Sequence, residues 1–207
     1  NGFIPGIADG RTEQSLLSWF AIGDYSYKNK YFLNASLRRD GSSRLAEGSK
    51  WVNYSGIGAG WMISAEDFMK NSKWISQLKL KASYGSAGNE DVGGSYEARE
   101  LFGSTTYNGR GGLVLANLEK PNLSWEVRKT ANIGIDYGFF KDRISGSVDV
   151  YNAVTNGLYL NRQLSGTNGV NSILTNLGKI RNKGIEFSIN ADVIKTRNFN
   201  WQISYNH

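Results

Sequence analysis

Few residues in this chain could do covalent chemistry. Asp136, Asp149, Glu186 and Asp192 are carboxylates of the kind that hydrolyse glycosides in pairs. Each lies inside an alternating apolar and polar segment, and the sequence sets no two of them at a catalytic separation. A polar channel wall is the plainer place for them. The chain has no cysteine and one histidine, His207. That excludes thiolate nucleophiles, disulfides and thiolate metal sites. It also leaves too little imidazole for a Ser-His-Asp triad or a multi-histidine metal site. Gly56 to Gly60 reads GIGAG, but it sits in a strand pattern and opens no helix, so a phosphate cradle is not expected. No enzyme activity, metal or cofactor is expected.

Two stretches could bind rather than react. RRDGSSR, from Arg38 to Arg44, could make a contact at the rim of a sheet. Its plainer reading is a salt-bridged, glycine-assisted turn that steadies a strand end. The long connection from Gly85 to Glu126 holds Tyr96, Phe102, Tyr107 and Arg110. Exposed aromatics there could stack on sugar rings or grip a peptide side chain, or simply fill a solvated loop. Lys plus Arg is 24 against 18 for Asp plus Glu, a net charge of +6 with no block of basic residues, so nucleic-acid binding is not favoured.

The element that must position these residues is a sheet. Gly, Asn and Ser number 25, 21 and 22 of 207 residues, aromatics reach 13%, and only two residues are Pro. Disorder predicts few aromatics, whereas strands joined by polar turns predict this mixture. Leu78 to Tyr84 shows the period of two most cleanly: Leu78, Leu80, Ala82 and Tyr84 share one face, Lys79, Lys81 and Ser83 the other. The same alternation runs over Tyr31 to Asp40, Ala131 to Phe139, Ile144 to Tyr151, Ile185 to Val193 and Phe199 to Asn206, and more weakly over Trp51 to Ile63 and Ser15 to Tyr25. About eight strands are predicted, several of about ten residues, nearer a membrane-spanning strand than a soluble one.

The connections alternate short and long, and aromatics cluster at strand ends, as two interfacial girdles would require. Tyr25, Tyr27, Tyr31, Phe139 and Phe199 flank short turns; Trp51, Tyr54, Tyr84, Trp125, Tyr151 and Tyr159 stand at the other ends. Ser64 to Ser76 is predicted as one helical turn on the short side, capped by Ser64. The apolar faces carry no central charge, whereas Arg38, Asp40, Lys79, Lys81, Asp136, Asp149, Glu186 and Asp192 fall on polar faces and are the candidate lumen residues. A Lys or Arg facing lipid at mid-bilayer would cost roughly 2–4 kcal/mol. The fold class predicted is all-β, an antiparallel transmembrane barrel. Two alternatives share the pattern: a soluble β-sandwich that binds carbohydrate, and a small self-contained eight-stranded barrel. No stretch is long and apolar enough for a transmembrane helix, and no signal-peptide pattern opens the chain.

Six runs carry a resemblance. Tyr27 to Leu45 (YKNKYFLNASLRRDGSSRL), Gly58 to Lys70 (GAGWMISAEDFMK), Trp74 to Asn89 (WISQLKLKASYGSAGN) and Asn122 to Glu126 (NLSWE) are very similar to stretches of the SusC/RagA family of TonB-dependent outer-membrane transporters. Asn132 to Asn152 and Asn182 to Asn206 complete the series, in family order. The resemblance implies a 22-stranded barrel closed by an N-terminal plug. At about 26 residues per strand, such a barrel would need on the order of 570 residues, so residues 1–207 are expected to be one contiguous part of a barrel domain, without the plug and the final strands. It further implies uptake of an oligosaccharide or peptide with TonB-supplied energy, a SusD-like surface lipoprotein partner, contact with outer-membrane lipid, and a place in a Bacteroidetes-type outer membrane.

Overall fold

A computed structural model describes residues 11–207. Eight strands form one antiparallel sheet: β1 (Leu16–Tyr27), β2 (Tyr31–Ser42), β3 (Trp51–Met62), β4 (Ile75–Asn89), β7 (Glu126–Phe139), β8 (Ile144–Gln163), β9 (Ser172–Lys195) and β10 (Asn200–Asn206). Between β4 and β7 the chain makes a separate hairpin of β5 (Leu101–Tyr107) and β6 (Arg110–Asn117). The sheet order β1-β2-β3-β4-β7-β8-β9-β10 follows the chain, with every neighbour antiparallel. β1 and β10 stand at opposite edges, so the sheet is unclosed. It is therefore no self-contained eight-stranded barrel. Nor is it a sandwich, because among the described residues no second sheet covers the apolar face: Ile57, Ile133 and Ile185 are 53%, 61% and 67% exposed. An uncovered apolar face of this extent needs an apolar surrounding.

Tight turns set the register on the short side. Lys28 and Asn29 both take positive φ, 51° and 54°, and Lys30 N–H donates to Tyr27 O at 3.0 Å. That is the two-residue turn whose twist matches a hairpin. The connection from β3 to β4 is not the capped helical turn expected. It contains two short 3-10 turns, Ile63–Ala65 and Asp67–Met69, and no side chain caps either. Glu66 between them is drawn sideways instead. Its carboxylate accepts from Lys30 Nζ (2.9 Å), Tyr31 Oη (2.6 Å) and Trp61 Nε1 (3.0 Å), clasping this connection to the β1–β2 turn.

On the other side the strands run further than the pattern suggested. β8 and β9 continue for 20 and 24 residues, well beyond the Ile144 to Tyr151 and Ile185 to Val193 segments that alternation predicts. A bulge between Asn156 and Tyr159 bends the β8–β9 hairpin, and Gly157 takes φ +71° there, a conformation glycine adopts without strain.

β3 and β4 pair only as far as Gly56↔Gly85. Beyond that point a small core collects the β2–β3 and β4–β7 connections: Leu45, Ala46, Tyr54, Val92, Ala98, Leu123 and Trp125 are all buried, with Val52, Val127, Tyr159 and Leu174 against them. Tyr54 and Trp125 meet edge-on at 6.1 Å, and Trp125 Nε1–H donates to Lys50 O at 2.9 Å. Three of the aromatics expected in the girdle, Tyr54, Trp125 and Tyr159, therefore belong to this core. Tyr151 falls on the polar face opposite Gly184, while Trp51 and Tyr84 are exposed on the apolar face. The difference arises because strand ends enclosed by loops have apolar neighbours of their own.

Three hydrogen bonds hold the Glu66 carboxyl down at about 2, against roughly 4.3 in an unfolded chain. The clasp therefore stabilises fully above the unfolded value and fades as pH falls through the folded one. Glu66→Gln in the full-length receptor should lower the urea midpoint at pH 7. The difference from wild type should close as the pH approaches 2; a difference independent of pH would refute the clasp.

Candidate functional site

The register gathers the charged candidates. Lys81 lies opposite Gly134, Gly134 opposite Asp149, and Asp149 opposite Glu186, so these four form one row across β4, β7, β8 and β9. Directly opposed residues share a face. Gly134 has no side chain, and Lys81 extends over it to reach Asp136 at 2.7 Å and Asp149 at 3.1 Å. A Cβ on Gly134 would meet the Lys81 Cε at 2.6 Å and collide with the Asp149 carboxylate. The glycine is there for that bridge. Asp149 is 13% exposed at its side chain, so Lys81 is what compensates its burial.

The remaining candidates of this group fall on the same face. Lys79 pairs in register with Asp136, and its ammonium lies 4.9 Å from the Phe32 ring centroid. Arg38 Nε–H donates to Asp40 at 2.7 Å, with the Asp40 side chain only 7% exposed. Asp192 accepts from Lys195 Nζ at 2.8 Å. Gly56, Gly58 and Gly60 also stand on this face, beneath Ser36, Asn34 and Lys79. A concavity of about 360 Å³ opens there over Asp24, Asn34, Gly58, Lys79, Lys81 and Asn132. Its lining mixes these charged and amide groups with Tyr25, Phe32 and Leu33. Among the described residues no group of three or more His, Cys, Asp or Glu could hold a metal ion.

The second part of RRDGSSR does more than steady a turn. Arg44 reaches across to the β4–β7 connection, where its guanidinium lies 2.9 Å from Asp91 and 3.6 Å from Glu90. Ser42 Oγ donates to Glu90 at 2.8 Å. The stretch thus ties the two long connections together around the buried core.

The loop candidates separate into two kinds. Tyr96 is half-buried and engaged within the chain: its hydroxyl accepts from Glu13 N–H at 3.1 Å, and Arg99 lies 5.5 Å from its ring centroid. Phe102, Tyr107 and Arg110 are exposed on the β5–β6 hairpin, with Tyr107 paired to Arg110 around the Asn108–Gly109 turn. The sequence pattern predicts a loop here, and the structure has a hairpin, for which the Asn-Gly pair between alternating residues is a strong signal. The pattern also misses Leu123 and Trp125 as core; nothing local in NLSWE distinguishes a buried anchor from a strand end.

An unclosed antiparallel sheet with one apolar and one charged face belongs to the wall of a large β-barrel. The family model described as TonB dependent receptor-like, beta-barrel matches residues 1–207, and the chain belongs to that family of outer-membrane proteins. A TonB-dependent receptor of Formosa agariphila is 40% identical over 94% of this chain and 19% of its own length. The TonB-dependent receptor SusC of Bacteroides thetaiotaomicron is 34% identical over 94% of this chain and 20% of its own. The solved RagAB peptide transporter superposes with a TM-score of 0.86 at 29% identity, covering 93% of this chain and 21% of that one. The chain spans about a fifth of the length of the relatives it matches.

Removing the Lys81 ammonium would leave Asp136 and Asp149 side by side without a cation. Lys81→Ala in the full-length receptor should cost about 1–2 kcal/mol in urea unfolding, the low end because the group is part-exposed to water. Adding Asp136→Asn and Asp149→Asn should recover most of that loss. No recovery would show that Lys81 acts through packing rather than charge.

Proposed function

We propose that this chain is one contiguous stretch of the wall of an outer-membrane transporter, which imports a large nutrient, an oligosaccharide or a peptide. Energy comes from the TonB complex through parts of the protein outside this stretch. A SusD-like surface lipoprotein covers the side on which the long connections lie. The charged face lines the lumen, and the apolar face meets lipid. Arg38, Asp40, Lys79, Lys81, Asp136, Asp149, Glu186 and Asp192 keep the lumen wet, while Phe102, Tyr107 and Arg110 are placed to meet partner or cargo. The wall itself catalyses no covalent step.

The observation that carries this function is the segregation of charge. The carboxylates of the eight strands, from Asp24 on β1 to Asp192 on β9, all fall on one face of the register. The other face is an uncovered apolar band. Support for import comes from the relatives: SusC and RagAB are a TonB-dependent receptor and a peptide transporter by name.

Single cysteines introduced into the full-length receptor test the orientation in intact cells. Ser147→Cys and Ser188→Cys, on the charged face, should react with a membrane-impermeant maleimide, whereas Ile133→Cys and Ile185→Cys should be protected. Equal labelling of both sets overturns the assignment of faces. Deleting the receptor gene should abolish growth on at least one glycan or peptide supplied as sole carbon source. Restored growth without TonB would exclude energy-coupled import.

A further inference from the structure

The apolar face is not free of charge along its whole height, and the charges it carries are all of one sign. On β7 the apolar-face residues run Ile135, Ile133, Ala131 and then Lys129. On β9 they run Phe187, Ile185 and then Lys183, Arg181 and Lys179. Between them, β8 passes from Val150 to Asn152, Val154 and Asn156. The change from apolar to basic falls on adjacent rows. Lys183 is opposite Asn152, and Arg181 and Lys129 flank Val154 from either side. Two strand spacings put these last two backbones about 10 Å apart, within reach of one ligand for long side chains.

The patch has an arrangement as well as a charge. Arg181 Nε–H donates to Asn152 Oδ1 at 2.7 Å, which ties the guanidinium to β8. Lys129, Lys179, Arg181 and Lys183 are all exposed, and among the described residues none forms an ion pair. Every strand carboxylate lies on the opposite face, so none on this face competes for these cations. Arg39, on the apolar face of β2, differs: its guanidinium lies 5.1 Å from the Trp51 ring centroid.

We propose that the apolar-face surfaces of β7, β8 and β9 just beyond the apolar band bind the phosphorylated sugar headgroup of an outer-leaflet glycolipid. Lys129, Lys179, Arg181 and Lys183 would neutralise phosphate oxygens, and Arg181 is suited to bidentate contact. The amides of Asn152 and Asn156 would meet hydroxyls. The acyl chains would descend along Ile133, Val150 and Ile185, continuous with the patch. A free anion has no use for that continuity, and a protein partner would not need the charges to border a lipid-facing band. The inference rests on the transmembrane orientation proposed above.

The test uses the full-length receptor in detergent, titrated with monophosphoryl lipid A and read by native mass spectrometry. The triple variant Lys179→Gln, Arg181→Gln and Lys183→Gln should bind it on the order of 100-fold more weakly, at about fivefold per removed charge. Arg39→Gln, on the same face but away from the patch, should bind as wild type does. Enzymatically dephosphorylated lipid A should bind wild type no better than the triple variant binds the phosphorylated form. Equal binding by wild type and triple variant overturns the proposal. So does full competition by excess inorganic phosphate, which would mark a simple anion site. A spin label at Ile185→Cys, in the same receptor placed in nanodiscs, separates the two failures. If the site fails while the label stays shielded from water-soluble quencher, the glycolipid site alone is wrong. An accessible label means that the transmembrane orientation itself has failed.

Discussion

Register is the constraint on which the rest of this structure depends. Side chains alternate faces with a period of two, so sliding one strand by one residue would exchange its two faces. For β9 that would move Glu186 and Asp192 into the apolar band and Ile185 and Phe187 onto the charged face. Each ionised group facing a bilayer core costs energy on the scale of a whole domain's net stability divided by a few. The pairing of every neighbouring strand, from Tyr27↔Tyr31 at one edge to Asn206↔Ser188 at the other, is what keeps the faces apart. The tight turn at Lys28 and Asn29 and the clasp around Glu66 pin that pairing at the short side, where a slip would begin.

Glycine makes the charged face workable. Long cationic side chains on neighbouring strands would crowd each other on a face filled with Cβ atoms. At Gly134 the missing side chain lets Lys81 cross a strand and meet carboxylates on β7 and β8. On β3 the same residue type leaves room for Asn34 and Lys79 from the strands on either side. Charges that would otherwise repel or desolvate one another are thereby joined into a network across three strands, in a setting that water still reaches.

The long connections follow a different physics. Where β3 and β4 stop pairing, the backbone must find other partners and apolar groups can bury only against each other. Leu123, Trp125, Tyr54 and Leu45 make a compact core there, and Arg44 with Asp91 and Glu90 fastens it from outside. A region of this kind behaves like a small soluble domain set on the edge of a membrane wall. The β5–β6 hairpin, with Phe102 and Tyr107 exposed, projects from the connection that this core anchors.

Alternation, the eight strands of the main sheet, their antiparallel order and the grouping of charged residues on one face of each strand were legible in the sequence; the β5–β6 hairpin was not. They depend on spacing within each strand, which is local. The resemblance in Tyr27 to Asn89 and Asn132 to Asn206 extended that to a family. What only the tertiary structure decided was which residues meet across strands. Lys81 joins Asp149 because β7 lies between them and offers a glycine at that row. Trp125 and Tyr54 are core rather than girdle because β3 and β4 part beside them. The cations of β7 and β9 form a patch because β8 sets them in register. Each of these depends on pairing between segments far apart in the chain, and a period of two within one segment carries no information about its neighbour.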